Sequence, residues 1–244
     1  HGMSRTGALG RLFGHVAEPA IEMNAQDMQR RQLVSGDLVH VTSKRGSIVV
    51  PVQASATLAA NQTFMAMHWG EEFLSGCSST GERLAGVNAL TAPAFCPTSK
   101  QPEFKHAAIK VLKAEMPWSL LGIAWLGDDL ALQAREQLRA LMPQFAFASC
   151  TPFGRERSGL LFRAAAYDSP SDAVLGSVEN LLGLGGAGVL RYADKKRGQH
   201  RAVQLLRAGS VGDTSGEMRL NAFVLAGDTS AQSWIKTLLQ DELP

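Results

Sequence analysis

Cysteine is nearly missing from this chain: three occur in 244 residues, at Cys77, Cys96 and Cys150. No two of them stand at Cys-x-x-Cys spacing, so this stretch by itself can build neither a zinc knuckle nor an iron–sulfur cluster. Lone thiols are usually buried, and three buried or half-buried side chains are expected in preference to a nucleophile. With no signal peptide in the sequence, unpaired thiols suit a reducing, cytoplasmic setting. Long apolar runs are also missing. None reaches ~18 residues, so no membrane span is expected. A one-sided charge is missing too: 24 Lys and Arg face 22 Asp and Glu, a formal +2. That balance argues against a nucleic-acid partner held by bulk charge. The six histidines are scattered, with no pair at helical ligand spacing. What remains is an ordinary globular mixture, 45% hydrophobic with 24 glycines. At roughly 100–200 residues per domain, the length allows one or two domains. The chain opens on His1-Gly2 in place of Met, which fits an expression tag or a cut inside a larger protein.

The amino-terminal part reads as short strands between turns. Leu38 to Thr42 alternates, Lys44-Arg45-Gly46 turns, and Ile48 to Val52 resumes. Pro51 removes a ladder donor there, which predicts an edge strand or a bulge. Thr63 to Met67 and Ala107 to Leu112 are further strands, and Asn24 is placed to cap a short helix over Ala25 to Gln32. Residues 71 to 105 read as loop. Many short strands with one or two short helices fit a closed or semi-closed β-barrel.

After Pro117 the rhythm changes. Leu120–Leu126 is an apolar strand, and Asp128 is read as the cap of a helix to Met142 with Leu130, Ala134, Leu138 and Leu141 on one face. Strands at Phe145–Cys150 and Leu160–Ala166 flank a polar turn, and Ser171 starts a second helix. This β-α-β-β-α order is a ferredoxin-like plan. Gly183 to Gly188 reads as a flexible link. Strands at Val189–Tyr192, Ala202–Arg207 and Arg219–Ala226 then precede a helix from Thr229 to Gln240, with Trp234, Ile235, Leu238 and Leu239 facing inward. So small a meander is expected to pack on a neighbour.

Three constellations could carry chemistry. His1-Gly2-Met3-Ser4-Arg5-Thr6-Gly7 offers hydroxyls, close backbone approach and one Arg to an anion or polar heterocycle. Asn88 can pair with a heterocycle edge through its amide, and Lys105, ending Pro102-Glu103-Phe104-Lys105, can meet a phosphate. As bare residues, Asn88 is more often a turn former and Lys105 a solvated charge. His68-Trp69 could line a funnel, although a packed Trp with a satisfied His is the commoner outcome. Gly183–Gly188 lacks the Lys-Ser/Thr of a phosphate loop. Lys195-Lys196-Arg197 reads as a solvated hairpin tip.

Taken in order, residues 1–7, Pro19 to Asn24, Gly36 to Val39, Ser43 to Gly46, His68-Trp69-Gly70, Asn88 to Thr91 and Pro97 to Lys105 resemble one family. It is the C-terminal molybdopterin-guanine-dinucleotide-binding domain of the DMSO-reductase family, and within it the large catalytic subunits of bacterial assimilatory nitrate reductases. The resemblance covers residues 1–115. It implies a double-psi β-barrel-like domain over 1–115, which with the ferredoxin-like α+β unit read over 116–187 and the small β-meander with a terminal helix read over 188–244 makes an α+β, mostly β chain. It implies cofactor contacts at His1, Gly2, Ser4, Thr6, His68, Asn88 and Lys105. Under it, His1–Gly2 is native and the chain starts inside the cofactor loop. Residues 192–198 and 225–229 are also similar to a meander of NAD(P)H-dependent nitrite reductases.

The implied cofactor is molybdopterin guanine dinucleotide, two of which chelate molybdenum in the parent enzyme. The metal ligand and an iron–sulfur cluster would lie elsewhere in that enzyme, leaving this stretch inert alone. The implied partners are the remainder of the same catalytic chain and an electron-donor reductase or ferredoxin. The alternatives are a formate dehydrogenase-like oxidoreductase and a non-catalytic barrel adaptor module.

Overall fold

The computed structural model describes residues 18–67, 69–77, 82–84, 86–101, 106–154, 157–207 and 217–243. Asn24, the last residue of strand β1 (Ile21–Asn24), caps helix α1 (Ala25–Arg30): its side-chain oxygen accepts the Gln26 N–H at 2.9 Å. A turn through Gly36, at φ +98°, delivers β2 (Leu38–Ser43), which folds back on β3 (Ser47–Ser55). Then come β4 (Thr63–Met65), β5 (Leu74–Cys77), β6 (Arg83–Leu84) and β7 (Ile109–Lys113). The first sheet has the order β4-β1-β3-β2-β7, with β1 and β3 parallel.

β3 therefore lies in the middle of its sheet, and Pro51 is on neither an edge nor a bulge. Val52 donates to Asp37 and accepts from Gly36 on the β2 side, so the position before it faces the other way. There β1 pairs only from Ile21 opposite Val52 onward, so no ladder bond is lost at Pro51. The stretch read as loop over 71–105 also holds β5, β6 and one turn of 3-10 helix at Val87–Leu90.

The second sheet joins both halves of the chain. Its strands are β8 (Trp118–Leu126), β9 (Phe147–Phe153), β10 (Ser158–Ala166), β11 (Val189–Asp194), β12 (Gln199–Arg207) and β13 (Met218–Ala226), together with β5 and β6. The order is β11-β12-β13-β8-β10-β9-β5-β6, antiparallel throughout. β13 takes the fourth place of the ferredoxin-like order beside β8, so residues on both sides of 187/188 share one sheet. At the other end β5 pairs with β9 across 115/116.

Strand alternation sorts the second sheet's faces. Trp118, Leu120, Ala124 and Phe162 pack under helices α2 (Asp128–Leu141) and α3 (Asp172–Leu181). Leu121, Ile123, Trp125 and Phe223 pack under α4 (Gln232–Gln240). Phe147 and Ala165 instead enter the core of the first sheet, with Val39, Val41 and Val50.

Four local expectations change. The buried stripe of α2 is Ala131, Ala134, Arg135 and Leu138, and Leu130 is 61% exposed. Gly127 precedes the first turn of α2, and Asp128 lies inside that turn, accepting from the Ser158 hydroxyl at 2.6 Å. On α4, Ile235 and Leu239 are buried while Trp234 is 60% exposed. The glycine run after α3 is a helix stop and not a free link. Gly183 takes φ +75°, the Leu184 N–H donates to Glu179 at 2.8 Å, and Leu184 is buried.

Candidate functional site

Among the residues expected to contact a ligand, Asn88 is the one the structure describes. His1, Gly2, Ser4, Thr6, His68 and Lys105 lie outside the described residues. Asn88 sits in the 3-10 turn Val87–Leu90, at one end of the first sheet. Leu90 roots this turn in the core, and Asn88 itself is exposed. Its backbone carbonyl accepts from the Thr91 N–H at 3.2 Å and hydroxyl at 2.9 Å. Its side-chain amide has no partner among the described residues, leaving both a donor and an acceptor for a ligand.

The turn is gripped from two sides. On one side Val87 donates to the Trp69 carbonyl at 3.0 Å. A Cβ on Gly86 would fall 2.7 Å from that carbonyl oxygen and 2.8 Å from the Gly70 Cα. On the other side a Cβ on Gly46 would fall 2.8 Å from the Ala89 carbonyl oxygen. Only glycine permits these approaches. Trp69 is wholly buried and meets the Phe73 ring edge-on, with centroids 5.6 Å apart, so the packed-Trp reading holds for Trp69.

The Gly46 contact brings the tip of the β2–β3 hairpin, with exposed Lys44 and Arg45, next to the Asn88 turn. The first residue of β7, Ile109, pairs with Ser43 at the same end. A cleft of about 900 Å³ lies between β7 and β4, lined by His106 to Leu112 on one side and by Thr63 and Phe64 on the other, and it extends to Asp27 and Arg31. One end of the first sheet thus combines an exposed amide and two solvated cations. Such a set can take a polar heterocycle carrying phosphates. Gly46, Gly86 and the Lys44–Arg45 pair were missed as site residues, because their role rests on close approaches between segments distant in sequence.

Residues 1–108 match the family described as "Molydopterin dinucleotide binding domain". That stretch is a molybdopterin dinucleotide-binding domain. The nitrate reductase of Klebsiella oxytoca is 36% identical over 111 residues, 46% of this chain and 12% of that protein. The nitrate reductase of a Synechocystis species is 41% identical over 69 residues, 28% of this chain and 8% of that protein. The F420-dependent formate dehydrogenase subunit alpha of Methanocaldococcus jannaschii is 31% identical over 100 residues, 41% of this chain and 13% of that protein. The chain thus spans only a small part of the length of the curated relatives it matches. The cofactor class fits the described residues of this domain: the one expected contact among them, Asn88, presents an exposed side-chain amide with no partner among the described residues.

The remaining polar features are structural. Among the described residues no group of three His, Cys, Asp or Glu side chains could hold a metal ion, and no helix is long and apolar enough to cross a membrane. Cys77 and Cys96 are half-buried and Cys150 is buried. Burial pushes the Cys150 thiol up to about 12, against the opposing charge of Arg135. Hydrogen bonds from Ser99 and Thr98 hold the Cys96 thiol below its ordinary value. Glu18, Arg163 and Lys236 line a cavity of about 300 Å³ between the two sheets and α4, and their charges pair with one another.

Proposed function

We propose that this chain is the cofactor-binding portion of the large catalytic subunit of a cytoplasmic, assimilatory molybdenum nitrate reductase. The similarity to the Klebsiella oxytoca nitrate reductase, 36% identity over 111 residues, carries this reading. Bound in the parent enzyme, the molybdenum cofactor supplies two-electron chemistry: nitrate, two electrons and two protons give nitrite and water. The residues of this chain bind and orient one molybdopterin guanine dinucleotide. Asn88 pairs with a heterocycle edge, while Lys105 and the Lys44–Arg45 tip face phosphate. The molybdenum ligand, the iron–sulfur cluster and the substrate contacts belong to the rest of the catalytic chain. Electrons come from a reductase or a ferredoxin. The 244-residue chain alone is expected to reduce no nitrate.

A formate dehydrogenase parent is the second reading. It is favoured by the Methanocaldococcus jannaschii relative, which matches nearly as long a stretch as the Klebsiella protein. Purified full-length parent enzyme, supplied with a reduced viologen and nitrate or with formate and an oxidised dye, separates the two. Nitrite formation without formate oxidation is expected. Formate oxidation without nitrite formation would replace the nitrate reading with the second one.

A further inference from the structure

The far half of the chain holds the dinucleotide turn from behind. Asn88 follows Val87, whose N–H is fixed on the Trp69 carbonyl at 3.0 Å. Trp69 and Phe73 stand perpendicular, 5.6 Å between centroids, and both are fully buried. The guanidinium of Arg135 lies over the Phe73 ring, 5.0 Å from its centroid. Arg135 is itself 7% exposed and belongs to α2, whose Ala134 and Leu138 are set in the core beneath the second sheet. The Phe73 carbonyl also accepts the Cys150 N–H at 3.0 Å, which ties the same residue to β9.

We propose that Arg135 is a positioning residue for the dinucleotide-binding turn, acting through Phe73 and Trp69 on Asn88. The proposal rests on the reading of that turn given above. A desolvated guanidinium over an aromatic face is strongly attractive, and water cannot replace it in a closed core. The perpendicular ring pair converts the position of Phe73 into the position of Trp69. Beyond Trp69 the coupling is direct, because the Val87 N–H is bonded to the Trp69 carbonyl at 3.0 Å. There is no room beside Gly86 even for a Cβ, which would fall 2.7 Å from that carbonyl oxygen, so a displaced Trp69 displaces Gly86 and the turn it opens. Residues 116–244 then act as part of the cofactor site, with α2 as its rigid reference.

The test is calorimetric titration of the 244-residue chain with GDP, the guanine half of the expected ligand. The variants are R135M, R135K, F73L, N88A and N88A/R135M, each measured well below its own melting midpoint. R135M and F73L are expected to weaken GDP about tenfold, and R135K, which keeps the charge without the planar face, by less. N88A is expected to cost clearly less in the R135M background than in the wild type, because the two residues act on one turn. Arg135 as mere core filling predicts a lower melting point for R135M with unchanged GDP affinity, or additive effects with N88A. Either result overturns the proposal. If R135M does not fold, F73L and R135K carry the same comparison against N88A. A wild-type chain that fails to bind GDP defeats the reading of the turn itself, and the proposal falls with it.

Discussion

Glu18 and Arg163, 145 positions apart in sequence, meet in a half-buried ion pair between the first sheet and the second. Arg163 Nε and Nη2 both donate to the Glu18 carboxylate, the latter at 3.4 Å, while Nη1 donates to the Gln232 side chain at 2.7 Å. Lys236 on α4 donates to the same carboxylate. One carboxylate thus ties together the entry to β1, the middle of β10 and α4.

Removing that carboxylate charge leaves two cations facing each other with 22% and 25% side-chain exposure. E18Q is expected to lower unfolding stability by roughly 3 kcal/mol at neutral pH, read by urea denaturation. Burial raises the Glu18 carboxyl, but Arg163 and Lys236 outweigh it and hold the group below its ordinary 4.5. The folded value lies below the unfolded one, so the stabilisation is complete above about 4.5 and is lost as pH falls through the folded value. The wild type is expected to lose stability in that acid window more steeply than E18Q. Parallel pH curves for the two proteins would show that the pair is not coupled to folding.

The pairing of β5 with β9, with Phe147 and Ala165 seated in the first core, makes the barrel half depend on the rest. A chain cut to residues 1–115 leaves β5 unpaired on that side and opens the core where Phe147 packed. It is expected to be unfolded or aggregated, with poor dispersion in a proton NMR spectrum. A dispersed spectrum from this fragment would show that β9 is dispensable to it.

Most of this architecture is legible in the sequence, because apolar alternation and turn residues report strands directly. Leu38 to Ser43, Ser47 to Ser55 and the β13 strand follow that signal, as does the cap at Asn24. β5 and β6 escape it, since Leu-Ser-Gly-Cys is short and rich in small residues and pairs with a strand far along the chain. The faces of α2 and α4 are misassigned at Leu130 and Trp234, where hydrophobicity alone cannot tell a core position from an exposed apolar one. At the candidate site, the turn at Asn88 is legible in the sequence. The grip of Gly46 and Gly86 on its turn is a matter of tertiary approach, which no local pattern encodes.

That grip makes a second prediction about the turn. In G86A the new methyl carbon would overlap backbone atoms of Trp69 and Gly70, which cannot rotate away. The variant is expected to lose roughly 1–3 kcal/mol of stability and to bind GDP more weakly. Unchanged melting and unchanged affinity in G86A would mean that the turn can shift freely.

Thiol chemistry should discriminate between Cys96 and Cys150. Cys150 is buried with its thiol pushed up to about 12, whereas Cys96 is half-buried and held below its ordinary value by Ser99 and Thr98. Iodoacetamide at pH 8 followed by peptide mass spectrometry is expected to label Cys96 and spare Cys150 until the protein unfolds. Labelling of Cys150 at a similar rate under native conditions would mean that β9 opens readily.

Binding of a molybdopterin dinucleotide through the Asn88 turn is open to direct measurement. The measurement is calorimetric titration of the 244-residue chain with isolated molybdopterin guanine dinucleotide. Saturable one-to-one binding is expected, weakened about tenfold in N88A by the loss of a polar pairing to a ligand edge. Absence of binding by the wild type, or an N88A variant that binds as tightly as the wild type, would contradict it; in the first case a protein-binding adaptor role for the barrel would take its place.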